Sequence, residues 1–397
     1  MKTNTKTRLG LTSLIAGLSG LLMTGAALAQ ATQGITKSEI LLGSITDLSG
    51  PIASVGVNTR DGMMMRIEEA NAAGGIFGRK IRMLVEDNGY DPKRSVLAAQ
   101  KLVTGEKVFA IVGHAGTANN VATMPMLFEN NVINFMPMSG GRAMFDPPDR
   151  LKIALLQPNF DLIGAGVRYL MKKKGHTKVC VLYQDDEFGQ EIVRGTEVAL
   201  KSANTPLTER ASYKRGATDF STQIAKLKGA GCTLVALGTV VRETVGVMAE
   251  AQKSDFKADF IGVEALYQTT THQLGGKATE GLYAMHGMNN VYADDSSKVV
   301  RDWVVAYKAK YNMDPTIVSV YAYSFMDFFV AAALKAGPNL TTDSFIDAME
   351  HNVFPSKLGG PDFKLTKTMR LGANEVSVAQ IQNGRWVQLG DVVSVAR

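Results

Sequence analysis

The stretch ILLGSITDLSGPIASVGVNTRDGMMMRIEEANAAGGIFGRKIRMLV, residues 40–85, decides the fold. Its two ends, Ile40 to Ile45 and Ile81 to Val85, are short and largely apolar, as expected for strands of a parallel sheet covered on both faces. Between them, Val57 to Ala72 has helical spacing and is stopped by Gly74-Gly75. Strand, helix and strand make a βαβ unit, and the unit repeats. Phe109 to Val112 and Val132 to Phe135 read as further strands, with helices at Pro92 to Val103 and Ala118 to Asn130. The first lobe is therefore expected to be an open α/β sheet.

A second series begins near residue 160. Val179 to Tyr183, Leu234 to Leu237 and Phe260 to Val263 read as strands, and Leu162 to Lys174, Gln190 to Ser202, Phe220 to Gly229 and Arg242 to Ser254 as helices. Two α/β lobes in series are the simplest parse. After Leu282 the rhythm changes to long helical runs, Ser297 to Tyr311 and Val320 to Ala336, then Ser344 to Met349. Short strands at Val376 to Ile381 and Trp386 to Val393 follow, separated by Asn383-Gly384, a strong hairpin signal.

At the N-terminus, Lys2, Lys6 and Arg8 precede an apolar stretch from Leu9 to Leu28 that closes with Ala27-Leu28-Ala29. That three-part plan is a secretory signal peptide, so cleavage near Ala29 and a periplasmic location are expected. No cysteine lies near Ala29 to carry a lipid, and no later segment offers about 18 uninterrupted apolar residues for a membrane span. The whole chain carries 43 basic and 37 acidic residues, three of the basic ones in the leader, which leaves a net charge of only +3. Such a balance gives no reason to expect a nucleic-acid partner. The triplet Lys172-Lys173-Lys174 before Gly175 suits the negative end of a helix. About 368 residues remain after cleavage, more than one core usually supports, hence two domains.

Chemistry-bearing motifs are scarce. There is no G-x-S-x-G elbow, no H-E-x-x-H and no Walker loop, and His114, His176, His272, His286 and His351 lack ligand spacing. Neither an enzyme, a metal nor a cofactor is expected. Gly164-Ala165-Gly166 opens a helix and lacks a third glycine, and Asp185-Asp186-Glu187 reads as a solvated loop between strand and helix. Export permits a disulfide between Cys180 and Cys232, but each falls within or at the start of an apolar strand pattern, and two buried free thiols are the favoured reading.

Several segments together resemble the leucine/isoleucine/valine-binding family of type I periplasmic solute-binding proteins. They are Leu48-Ser49-Gly50-Pro51, Asn71-Ala72-Ala73-Gly74-Gly75-Ile76 with Gly78, Asp91-Pro92, Val112-Gly113-His114, Phe188-Gly189 and Gly262-Val263-Glu264. The likeness covers essentially all of the mature chain. It implies two Rossmann-like lobes with parallel sheets, joined by a three-segment hinge and closing over a ligand. On that plan residues 30–155 and 285–368 form the first lobe, and residues 156–284 and 369–397 the second. The late helices then return to the first lobe and the terminal hairpin completes the second. The resemblance also implies an ABC importer, with permease and ATPase subunits as partners and a monomeric receptor. A ligand-sensing module for a chemoreceptor or kinase is the competing class.

A loop at the carboxyl end of a parallel strand, followed by a helix start, offers free N–H groups to an anion. His114 to Ala118 occupies such a place, with Thr117 aligned on the family's carboxylate-binding hydroxyl and Ala118 beside it. The helix N-cap is a compatible role for Thr117. Ser139 and Gly140 follow the next strand in the same way, one position out of step with the family's hydroxyl, and Arg142 is either a carboxylate clamp or solvent-facing. Glu264 aligns with the acid that holds a ligand ammonium in amino-acid-binding members. Val55 and Phe188 replace a larger aromatic residue and a tyrosine, which implies a roomier, more apolar pocket. The expected ligand is a small carboxylate of hydrophobic or branched-chain amino-acid type, with aromatic or other hydrophobic acids as the alternative.

Overall fold

A computed structural model describes residues 32–372 and 375–392. The expected leader, residues 1–29, and Val393 of the expected last strand lie outside the described residues. The first lobe is built on β1 (Glu39–Thr46), α1 (Ala53–Ala72), β2 (Lys80–Asp87), α2 (Pro92–Gln100), β3 (Ala110–Val112), α3 (Thr117–Glu129), β4 (Ile133–Phe135) and β5 (Lys152–Ile153). Its strands are all parallel in the order β2-β1-β3-β4-β5, with Ile40 opposite Ile81 and Val112 opposite Phe135. Helix α1 starts four residues before the expected Val57. Its first turn is pinned by Asp47, whose carboxylate accepts from the N–H groups of Ser49, Gly50 and Ile52. Gly56 allows that close approach, since a Cβ there would lie 1.7 Å from the Asp47 carbonyl oxygen.

The second series runs α4 (Asn159–Lys174), β6 (Val179–Gln184), α5 (Glu187–Ser202), β7 (Glu209–Tyr213), α6 (Ser221–Gly229), β8 (Leu234–Gly238), α7 (Val241–Lys253), β9 (Asp259–Gly262), α8 (Thr269–Gly275) and β10 (Tyr283–His286). Then come α9 (Lys298–Tyr311), α10 (Ile317–Ala336), α11 (Thr342–His351), a small antiparallel pair β11 (Val353–Phe354) and β12 (Phe363–Lys364), and the hairpin β13 (Ser377–Gln382) and β14 (Arg385–Val392). The second sheet has the order β14-β13-β10-β9-β8-β6-β7. Strands β5, β7, β10, β11 and β12 and helix α8 are additions to the sequence pattern. Strand β7, Glu-Arg-Ala-Ser-Tyr, is an edge strand with outward polar residues and so lacks the apolar run used to find its neighbours.

Simple succession of two lobes fails at the C-terminal end. The hairpin, turned by Asn383 and Gly384 at positive φ, adds to β10 of the second sheet. Helix α10 instead packs along α1: a Cβ on Gly62 would meet the Ser319 carbonyl at 2.3 Å, and Asn58 Oδ1 accepts from Ser319 Oγ at 2.8 Å. Phe109 and Phe135 pack edge to face on Phe329 of this helix and on Phe345, with centroids 5.5–6.2 Å apart, and Phe329 and Phe345 lie tilted at 5.0 Å. By length and composition α10 is apolar enough to cross a membrane, although Ser319, Ser324 and Asp327 interrupt it. Those three are buried, and Asp327 is paired with Arg66 at 2.7 Å. The helix is the core of this lobe, which explains its hydrophobicity.

The cysteines correct the sequence reading. Cys180 and Cys232 form a disulfide, with Cα atoms 5.9 Å apart. Cys180 lies on β6, and Cys232 lies two residues before β8, the strand that pairs directly with β6. Adjacency of those two strands, which the local pattern does not report, brings the sulfurs together. The two cysteines are 52 residues apart in sequence, and closing such a loop stabilises the fold by about 4 kcal/mol in the chain-entropy account. The acidic triplet also has a defined role: Asp186 caps α5 by accepting from Gly189 N at 3.2 Å and pairs with Arg215 at 2.5 Å.

Candidate ligand-binding site

The carboxyl ends of both sheets face one cavity with an empty volume of about 690 Å³. Its first wall starts at β3. Gly113 and Gly116 adopt φ of 64° and 91°, turning the chain so that α3 begins at Thr117. A Cβ at Gly116 would lie 2.7 Å from the Tyr90 ring. The N-cap is thus Gly116, and the capping role expected of Thr117 is not the one it takes. As the first helical residue, Thr117 places its hydroxyl 3.0 Å from that of Ser139, and Ser139 Oγ accepts from Gly141 N at 3.2 Å.

The first-turn N–H groups of α3 have no intrahelical acceptors, which makes this end of the cavity a donor surface for an anion. No positive side chain contributes from the loop, because burial pushes His114 down to about 3 and keeps it neutral. Gly140 lies against Asn159, whose N–H donates to the Gly140 carbonyl at 2.7 Å. Both line the cavity.

The opposite end is made of acceptors. Glu264 follows β9 and is 7 % exposed. Its Oε1 accepts from Gly287 N at 2.7 Å and from the hydroxyl of Tyr321 on α10, while Oε2 has no protein partner. Burial raises the Glu264 carboxyl to about 7, against the lowering effect of those two hydrogen bonds. Between the two ends the walls are apolar, formed among others by Ile52, Val55, Tyr90, Met138, Phe188 and Val240. A guest that turns a carboxylate to the first wall and a donor group to Glu264, with an apolar body against the remaining walls, fits this lining.

Of the residues singled out from sequence, Val55, Thr117, Ser139, Gly140, Phe188 and Glu264 line this one cavity. Ala118 does not; its side chain is buried at 7 % exposure in the first turn of α3. Arg142 does not clamp a carboxylate there either. Its guanidinium stacks over Phe160 at 5.0 Å and lies 3.9 Å from Asp161, while its N–H donates to Glu191 at 2.7 Å. Sequence reasoning missed Tyr321, Gln268 and Asn159. Gln268 shares a loop with Glu264 and a scan of that loop finds it; nothing local marks Tyr321, which arrives from a helix 57 residues away in sequence.

A profile of the family described as periplasmic binding protein matches residues 39–385. The chain belongs to the periplasmic binding protein family. Within it the chain is of the leucine/isoleucine/valine-binding type. It is 25 % identical to a Leu/Ile/Val-binding protein homolog 2 of Brucella abortus over 332 residues, 83 % of this chain and 87 % of that one. To the Leu/Ile/Val-binding protein of Escherichia coli it is 23 % identical over 83 % of this chain and 85 % of that one.

Solved structures share the fold of this periplasmic binding protein. A fatty acid ABC transporter substrate-binding protein from Thermomonospora curvata superposes with a TM-score of 0.81 at 22 % identity, covering 91 % of this chain and 94 % of that one. A solute-binding protein from R. palustris in complex with benzoate gives 0.80 at 16 %, over 90 % and 98 %. A branched-chain amino acid transporter substrate-binding protein from Streptococcus pneumoniae in complex with isoleucine gives 0.77 at 20 %, over 90 % and 99 %.

Proposed function

We propose that this protein is the exported receptor of an ABC importer and that it captures a small hydrophobic amino acid between its two lobes. The observation that carries the reading is the polarity of the cavity: hydroxyl and backbone donors at Thr117, Ser139 and Gly140 and the bare carboxylate oxygen of Glu264 line one space whose other walls are apolar. Because Tyr321 packs with the first lobe and Glu264 with the second, one guest engages both lobes and favours the shut form. The ammonium of an amino acid supplies the cation that a buried carboxylate otherwise lacks. The shut receptor, a monomer, then docks on permease and ATPase subunits after cleavage of its leader near Ala29. The chain crosses between lobes near residues 155, 284 and 368.

A second reading, a receptor for aromatic or other hydrophobic acids without an amine, draws support from the same carboxyl. With Glu264 raised to about 7, its neutral form is accessible and tolerates a guest with no cation. The isoleucine, benzoate and fatty-acid names of the neighbouring structures are compatible with either class. A thermal-shift panel of aliphatic amino acids, aromatic amino acids and aromatic acids separates the two. A ligand at 100 times its Kd stabilises the folded form by about 2.7 kcal/mol. Shifts confined to amine-free acids sink the amino-acid reading; no shift with any compound sinks both.

A further inference from the structure

The acceptor end of the cavity holds more than Glu264. Gln268, four residues on in the same loop, is 1 % exposed and lines the same cavity. Its Nε2 donates to the Ala265 carbonyl at 3.2 Å, and its main-chain carbonyl accepts from Trp386 Nε1 at 2.9 Å. The backbone and one side-chain atom are thereby tied to protein. The amide oxygen is left without a protein partner, as is Glu264 Oε2. Tyr321 and Gly287 both bind Glu264 Oε1, so it is the other carboxylate oxygen that is free for a guest.

A buried acceptor that finds no donor keeps the full cost of its lost hydration. Two of them belong to residues of one loop that line one cavity, and a guest able to reach both is defined by the number of its donors. We propose that Gln268 is a second acceptor for the ligand's cationic head, so that the site selects guests with at least two N–H groups and rejects N-alkylated counterparts. The inference rests on the reading above, in which Glu264 receives an ammonium. A primary ammonium has three N–H groups and serves both oxygens. A monomethylated one has two and still serves both. A dimethylated one has one, and a trimethylated one presses methyl groups against both acceptors.

The test is a calorimetric titration of the mature protein with leucine and its N-methyl, N,N-dimethyl and N,N,N-trimethyl derivatives. Leucine and N-methylleucine are expected to bind within about threefold of each other, and N,N-dimethylleucine at least about tenfold more weakly, the size of one lost hydrogen bond. In Gln268→Met that step shrinks to about threefold or less, and in Gln268→Glu, which keeps an acceptor, it persists. A uniform decline along the series in the wild type, or a step of unchanged size in Gln268→Met, overturns the role of Gln268. The wild-type series stands by itself should the variants fail to fold. Leucine that fails to bind wild-type protein while benzoate binds overturns the ammonium reading, and this inference with it. Leucine that binds with no step at the second methyl overturns this inference alone.

Discussion

The two ends of the cavity are built by opposite physics. At the donor end the side chains satisfy one another: Thr117 and Ser139 share a hydrogen bond, Ser139 takes the Gly141 N–H, and the neighbouring His114 is held neutral by burial. What is offered to a guest there is backbone N–H, fixed by the start of a helix, and the one hydroxyl proton that the Thr117–Ser139 pair leaves over, all independent of pH. At the acceptor end the polar groups are not self-sufficient. Glu264 and Gln268 each keep one buried oxygen without a protein partner, and the Glu264 carboxyl sits near 7. On the proposed function, an anion site that needs no titration faces one that calls for a donor-bearing guest, and discrimination among ligands belongs to the second.

That asymmetry predicts a hierarchy of effects. The largest is at Glu264. Glu264→Ala is expected to weaken amino-acid binding by about thirtyfold or more, since losing one member of a buried charge pair costs about 2–5 kcal/mol, while amine-free acids bind as before. Calorimetry with both classes measures it, and equal losses for the two would erase the distinction between the ends.

Next is pH. The free carboxyl titrates near 7, well above its ordinary value, and an ammonium guest needs it ionised. Affinity for amino acids should fall as pH drops from 7 to 5, by up to about tenfold per unit. A guest lacking an amine should show no such fall. Titrations at several pH values decide it, and a flat profile for leucine would place the ammonium elsewhere.

Thr117→Val comes third. Removing a hydroxyl that serves the anion should cost about 1.5–2 kcal/mol, roughly tenfold or more, and the loss should be the same for amino acids and plain acids. A loss restricted to amino acids would mean that Thr117 belongs to the other end. The smallest effect is expected for Tyr321→Phe. Its hydroxyl helps hold Glu264 ionised, so without it the carboxyl rises further. Amino-acid affinity near pH 7 should then drop about three- to tenfold and recover as the pH is raised, an outcome that mere loosening of α10 would not produce.

The legibility of the site follows the same division. Thr117, Ser139 and Gly140 are readable because a strand end, a turn and a helix start are contiguous in sequence. Glu264 is readable for the same reason, at the end of β9. Tyr321 is not, because it reaches Glu264 from the second turn of a helix whose local pattern reports only burial. Ala118 is absent from the lining, and as a first-turn residue of α3 it has only its main-chain N–H to offer a guest. Thr117 also had its cap taken by Gly116, a backbone choice set by the close approach of the Tyr90 ring.

By itself the sequence determined that the chain alternates strand and helix, that two such series exist, and that a hairpin closes at Asn383-Gly384, because hydrophobic period and turn chemistry are local properties. Only the tertiary structure decided which strands are neighbours. Strand order joins Cys180 to Cys232 through β6 and β8, sends the hairpin to β10, and lays α10 on α1 so that Tyr321 meets Glu264. Each of these depends on contacts between residues far apart in the chain, where side-chain volume and the closeness of backbones at positions such as Gly62 select one partner, and no local pattern records that choice.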